Sequence, residues 1–411
     1  MKKLFLLAWP IALAAVSCSN EEVVSVNNDA NEIKFTTVAE NGTRAQNLFC
    51  NLNKPTTFNV WAAVNNATYF ENVTYVKEAT SETYKAEGGK VHFWPTTGTM
   101  VDFYALSEET KVKNGENPAE YNPWTGGVVT WKADGATKIT WQTRSDNATE
   151  QTDLLYAYTQ KSRPTGTAGI VGINFRHALS QIVFHAKNTN PTIQVFIDKV
   201  DVVNIAKAGT FAMPYGVANV TDAPIENHKT EGPDKSGVGS WTVAADAEKT
   251  TYTTTEFDLV TVPYGNTGKN LTEEEMADAA HSNFGLSLLL IPQTTTAWVP
   301  ATPTKKPTQS TGSYFVVYCK IQNVAASDGN AKPTDLYLWG DENNTAAVYI
   351  PFKADWKPGK KYIYTFTFGS QTTGGYDPEG DPVLIPISFN ITVDDFVKVS
   401  DETVWMGPKE S

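Results

Sequence analysis

A side-chain alternation of period two constrains this chain more than any other feature. In the run Tyr362-Ile363-Tyr364-Thr365-Phe366-Thr367-Phe368, the residues Tyr362, Tyr364, Phe366 and Phe368 share one face, while Thr365 and Thr367 point the other way. Only an extended strand sends every second side chain to the same side. Runs rich in Val, Ile, Thr, Tyr, Phe and Trp recur at 57–62, 101–105, 127–131, 180–184 and 314–318, separated by clusters of Gly, Asn, Asp, Pro and Ser. Abundant Thr and Asn suit solvent-facing strand positions and turns, and they weaken helix interiors. Only 271–280, opening with the cap-like Thr272 and Glu273-Glu274-Glu275, reads as a short helix. The expected fold class is all-β.

At 411 residues the chain exceeds one ordinary domain, and about 100–200 residues per domain predicts two or three. A hydrophobic share of 41% with 19% charged residues is enough for a sizeable core and excludes wholesale disorder. The first residues are set apart: Lys2 and Lys3 precede an apolar run from Leu4 to Val16, broken only by Pro10. That run is too short for a membrane helix, which needs about 20 residues, and reads as a signal peptide. It ends in Ala15-Val16-Ser17-Cys18, small residues before a thiol that can carry a lipid. Two readings stand: a lipoprotein anchored through Cys18, or an ordinary signal peptide with an incidental cysteine. Later in the chain, no stretch of 18 apolar residues occurs. The polar segment from Ser162 to Gly169 reads as a domain boundary. The expected units are therefore a signal peptide at 1–17, a pro-segment with a first strand at 18–44, and sandwich domains at 45–165 and 166–411.

The balance of 33 Lys and Arg against 45 Asp and Glu gives a net charge of -12, which repels phosphate backbones and excludes nucleic acid as an expected partner. Five histidines and three cysteines leave little for a metal cluster. His177 and His185 read as neighbours in one strand, separated by about 26 Å of extended chain, too far to share a metal ion. His92, between Val91 and Phe93, reads as a structural histidine in another strand. Asp394 and Asp395 are adjacent and so face opposite sides of a strand, and the Glu273-Glu274-Glu275 run reads as a charged first helical turn. No Gly-rich phosphate loop and no Gly-x-Ser-x-Gly elbow is present. Neither an enzyme activity nor a cofactor is expected. Cys50 and Cys319 remain after Cys18, in an oxidising compartment; they form either a disulfide between the two domains or two buried thiols.

Several separated motifs resemble the fimbrillin family (type V pilin, Mfa-like) of Gram-negative anaerobes. They are Glu32-Ile33-Lys34-Phe35 with Thr43-Arg44-Ala45; Phe93-Trp94-Pro95 with Gly98 and Val101-Asp102-Phe103-Tyr104-Ala105; and Asp153-Leu154-Leu155-Tyr156-Ala157. Phe175 to Ile182, Leu289-Leu290-Ile291-Pro292-Gln293 and Trp356 to Tyr362 complete the series. Ser19-Asn20-Glu21-Glu22 is similar to the surface-export signal of outer-membrane lipoproteins in such organisms. The resemblance implies two transthyretin-like antiparallel β-sandwich domains in a subunit that polymerises into a surface fimbria. It implies a lipid on Cys18 that carries the precursor to the outer membrane. An arginine-specific protease would then cut between Arg44 and Ala45, removing the first strand; otherwise Arg44 is an ordinary residue in an exposed turn. Near the C-terminus Ile387, Phe389, Ile391 and Val393 alternate with Ser388, Asn390 and Thr392. That stretch is a donor strand for another subunit or the last strand of its own sheet. The expected partners are other fimbrial subunits, chiefly copies of this chain. A competing class is an unpolymerised surface glycan-binding lipoprotein, which requires an exposed platform built from residues such as Trp131, Trp141, Trp241 or Trp298.

Overall fold

The computed structural model describes residues 31–39, 56–95, 98–107, 128–145, 153–162, 170–215, 238–254, 259–265, 267–273, 285–300, 312–324, 336–369, 374–385 and 387–395, with 148, 151, 257, 306 and 307 between them. They are built almost wholly of strands, so the expected all-β class holds. Among the described residues no helix is long and apolar enough to cross a membrane.

Seven strands close into a barrel: β1 (Lys34–Ala39), β2 (Thr57–Val64), β3 (Ala67–Lys77), β4 (Thr83–Ala86), β5 (Met100–Ser107), β8 (Leu155–Ser162) and β9 (Ile170–His177). Their order is β1-β4-β3-β2-β5-β8-β9, and the ring closes where β1 runs parallel to β9. A small sheet follows, made of β6 (Val128–Thr130), β7 (Lys138–Gln142), β12 (Ala208–Ala212) and β13 (Ser240–Thr242), in the order β13-β12-β7-β6. It packs on the outside of the barrel, where Ile139, Trp141 and Phe211 meet Trp61, Tyr104 and Tyr156. This second layer explains why β2 and β5 are buried on both faces: Phe103 points into the barrel and its neighbour Tyr104 into the outer layer.

Two further sheets face each other. One holds β16 (Lys269–Asn270), β10 (Ser180–Asn188), β23 (Lys360–Phe368) and β24 (Ile387–Asp395) in that order, with β19 (Leu288–Leu290) also on β10. The other orders β14 (Lys249–Thr253), β11 (Ile193–Ala206), β20 (Tyr314–Asn323) and β21 (Tyr337–Trp339), with β15 (Val260–Val262) on β11 and β22 (Ala346–Pro351) on β20. Between them lie Phe184, Val195, Ile197, Phe315, Val317, Tyr364 and Phe366, the packing of a β-sandwich. The alternation that announced β23 is realised: Tyr362, Tyr364, Phe366 and Phe368 all enter this core.

Three local expectations are corrected. Thr272 does not cap a helix: β17 (Thr272–Glu273) pairs in parallel with β18 (Gly285–Leu286), and the Thr272 hydroxyl accepts a hydrogen bond from the Phe184 N–H at 2.8 Å. The rest of that segment, 274–280, lies outside the described residues. His177 and His185 are not in one strand, because the chain leaves β9 at His177 and re-enters a different sheet as β10. Val91 and His92 belong to no strand; Phe93 makes only an isolated bridge to Glu32. The change of sheet falls at Ala178-Leu179, downstream of the polar segment read as a boundary, and β9 stays with the barrel.

Candidate functional site

The first strand occupies a seat built for it. β1 lies between β4 and β9, with Phe35 opposite Tyr84 on one side and Val171 on the other. Ile33 and Phe35 are 1% and 0% exposed. The Phe35 ring stands edge-on to Tyr75, Phe103 and Phe58, at 4.6, 5.4 and 5.9 Å. Such perpendicular contacts put ring edges against ring faces and add to the burial itself. The entry to β1 is fixed by the Phe93-Trp94-Pro95 motif. The Ile33 N–H donates to the His92 carbonyl and the Trp94 N–H to the Asn31 carbonyl, both at 2.8 Å. Trp94 then packs edge-on against Phe103 at 5.8 Å. His92 stacks on Phe70 at 4.3 Å, and its burial lowers its pKa. The Tyr75 hydroxyl beneath β1 has no hydrogen-bond partner among the described residues, and burial followed by the charge of Glu32 pushes its pKa up.

The remaining motifs meet where the barrel gives way to the sandwich. His177 bonds through Nδ1 to the Asp153 carboxylate, both buried. The next N–H, from Ala178, donates to the Leu154 carbonyl at 2.9 Å. Gln293 grips the end of β11, accepting from the Ala206 N–H at 3.0 Å and donating to the Ala206 carbonyl at 3.1 Å. Ser180 donates to the Lys357 carbonyl at 2.8 Å, and the Gly359 N–H to the Leu179 carbonyl at 2.9 Å. Gly359 sits at φ 66, a conformation that strains any residue with a Cβ, and an added Cβ would lie a tight 3.3 Å from the His177 carbonyl oxygen. These motifs are therefore rivets of the joint and of the β1 seat. Spacing along the chain carries no sign of this, because every bond joins distant segments.

The C-terminal strand is held differently. β24 pairs along its whole length with β23, from Ile387 opposite Phe368 to Asp395 opposite Lys360, and it ends its sheet. Ile387 is fully buried and Phe389 packs against Phe315 at 5.8 Å and Tyr364 at 5.9 Å. Ile391 and Val393, on the same face, are 42% and 53% exposed. Cys18, Arg44, Ala45 and Cys50 lie outside the described residues. Cys319 is buried in the sandwich core, where desolvation raises its pKa.

The tryptophans named for a sugar platform divide between core and surface: Trp141 and Trp298 are sealed inside, whereas Trp131 and Trp241 are half-buried. Trp141 and Trp298 are 1% exposed. Trp131 stands edge-on to Tyr104 at 5.2 Å and donates to the Thr68 hydroxyl, and Trp241 packs against Phe211. Among the described residues no cluster of His, Cys, Asp and Glu could hold a metal ion.

A family model described as fimbrillin-like matches residues 36–380 of this chain. Among solved structures, one named as a cell-adhesion protein of Bacteroides uniformis is 14% identical, with 89% of this chain and 97% of that chain covered and a TM-score of 0.36. Another of that description, from Bacteroides ovatus, is 13% identical over the same shares, with a TM-score of 0.39. A fimbrial assembly protein of Parabacteroides distasonis is 8% identical, with 88% of this chain and 99% of that chain covered and a TM-score of 0.33. No curated protein matches the chain.

Proposed function

The chain belongs to the fimbrillin-like family, and we propose that it is a structural subunit of an adhesive cell-surface fimbria, polymerised by strand exchange. In this reading the precursor is exported as an outer-membrane lipoprotein through Cys18. Cleavage after Arg44 by an arginine-specific protease then produces a chain that begins at Ala45. The family and the adhesion names of its structural neighbours support a non-enzymatic role at the cell surface.

One observation carries the finer reading: the strand that closes the barrel is the one separated from the rest of the chain by Arg44. β1 ends at Ala39 and β2 begins at Thr57. A cut at Arg44 would leave β1 held only by its ladders and by Ile33 and Phe35. Its loss would open a groove with unpaired backbone on β4 and β9 and an apolar floor, a state that favours capture of another strand. β24 carries a matching pattern. Ile387-Ser388-Phe389 repeats the Ile-x-Phe of Ile33-Lys34-Phe35. We therefore assign the donor register that puts Phe389 of one subunit in the Phe35 seat of the next.

Two experiments test this. Treating the purified precursor with an arginine-specific protease should produce an Ala45 N-terminus and SDS-resistant ladders, both abolished by Arg44→Ala. A precursor that stays uncut, or is cut and stays monomeric, overturns the reading. For the register, Asn390 would take the place of Thr36, which lies opposite Thr83. A mixture of Asn390→Cys and Thr83→Cys subunits should form an intersubunit disulfide on assembly, whereas pairing Thr83→Cys with Thr392→Cys should not.

A further inference from the structure

Beside the joint lies a cleft of about 540 Å³ that strand exchange does not use. Its size suits a small ligand, and a junction between packed units is a usual place for one. One wall is Trp241 on the edge strand β13, whose indole N–H donates to the Ala178 carbonyl at 2.6 Å. The ring is pressed against Gly209, where an added Cβ would come within 3.1 Å of it. The lining also carries Asp355, which accepts from the Thr294 hydroxyl at 3.0 Å and from the Lys357 ammonium at 2.8 Å through the same oxygen. Lys249 adds a second exposed ammonium. Two lysines against one aspartate make this a locally cationic recess in a chain of net charge -12. Asn204 lines it as well, at φ 69 where β11 bulges. That residue is 4% exposed, and its Oδ1 has no hydrogen-bond partner among the described residues. Backbone strain and an orphaned acceptor at one position point to a place shaped for more than packing.

We propose that this cleft binds a carboxylate-bearing sugar, a uronic or sialic acid residue, with the pyranose against Trp241 and its carboxylate between Lys249 and Lys357. The second oxygen of Asp355 would accept ring hydroxyls. An aromatic wall suits the apolar face of a sugar ring, and lysine donors suit its charge. Occupancy does not depend on strand exchange, so the uncleaved monomer is the right sample and failure of polymerisation would leave the proposal standing.

The test titrates that monomer with glucuronic acid and with N-acetylneuraminic acid, followed by tryptophan fluorescence and saturation-transfer NMR. Glucose serves as the uncharged ring, and acetate as the carboxylate without a ring. At least one of the two acidic sugars should bind about ten-fold more tightly than both controls. Lys357→Met and Lys249→Met should each weaken it about ten-fold, while Lys90→Met, outside the cleft, should not. Both cleft lysines are exposed, so these variants test the site even if a Trp241→Phe variant folds poorly. Equal binding of acetate, equal binding of glucose, no binding of either acidic sugar, or affinity unchanged in Lys357→Met would each overturn the assignment.

Discussion

β1 and β24 share an Ile-x-Phe pattern, yet the molecule treats them in opposite ways. β1 is paired on both edges, and Phe35, with Ile33 just before the strand, is sealed inside the barrel. Among the described residues β24 has one strand ladder, to β23, and its face runs from the buried Ile387 to the exposed Val393. A short strand of six residues is thus embedded deeply, and a longer one of nine is embedded by half. The difference teaches that affinity for a seat is set by pairing and enclosure rather than by strand length. Two ladders and an aromatic floor hold β1 tightly, so that under the proposed maturation it would leave only once severed. A single ladder and a partly unused apolar face make β24 the strand with something to gain elsewhere.

The contrast is broken most forcefully at Phe35. Truncating a fully buried phenylalanine costs about 3–5 kcal/mol, and Phe35 touches three other rings. Phe35→Ala should therefore lower the stability of the uncleaved barrel by that amount in urea denaturation. It should also let β1 escape sooner after a cut at Arg44. An unchanged denaturation midpoint would mean that the barrel does not depend on its first strand. At the matching position of the other strand, Phe389 is only partly enclosed. There the loss on Phe389→Ala should be smaller, about 1–3 kcal/mol. Equal losses at the two positions would erase the distinction between plug and edge strand.

Much of this contrast was legible in the chain. Alternation marked β24, whose apolar face is continuous from Ile387 to Val393 in the sequence, and the family resemblance marked β1. What could not be read is enclosure. That β1 would run parallel to β9, more than a hundred positions away, follows from tertiary packing, and no local signal records it. The joint hid for a related reason. Between β9 and β10 the chain changes sheets through Ala178 and Leu179, both fully buried. A crossing made inside a core needs no Gly, Pro or Asn, so the strand pattern runs on and His177 and His185 look like neighbours in one element. Thr272 misled in the opposite sense: Thr followed by three glutamates satisfies every local rule for a helix start. Its hydroxyl is instead taken by the N–H of Phe184 in β10, and a long-range partner overrules the local preference.

The smallest effect on the precursor should come from Ile391 and Val393, and it separates the two roles of β24 most cleanly. Both side chains are about half exposed, so replacing them removes only part of the burial each could reach. The double variant Ile391→Ser, Val393→Ser should lower precursor stability by only about 1 kcal/mol, with the ladder to β23 intact. In the assigned register, however, these residues follow Phe389 into the neighbour's groove, at the places of Thr37 and Ala39. There they would lie against β9, and burying each would be worth about 1.5–3 kcal/mol. The variant should then be cut normally after Arg44 and still fail to form long SDS-resistant ladders. If ladder length is unaffected, the exposed half of β24 has no part in assembly, and its apolar face serves its own sheet alone.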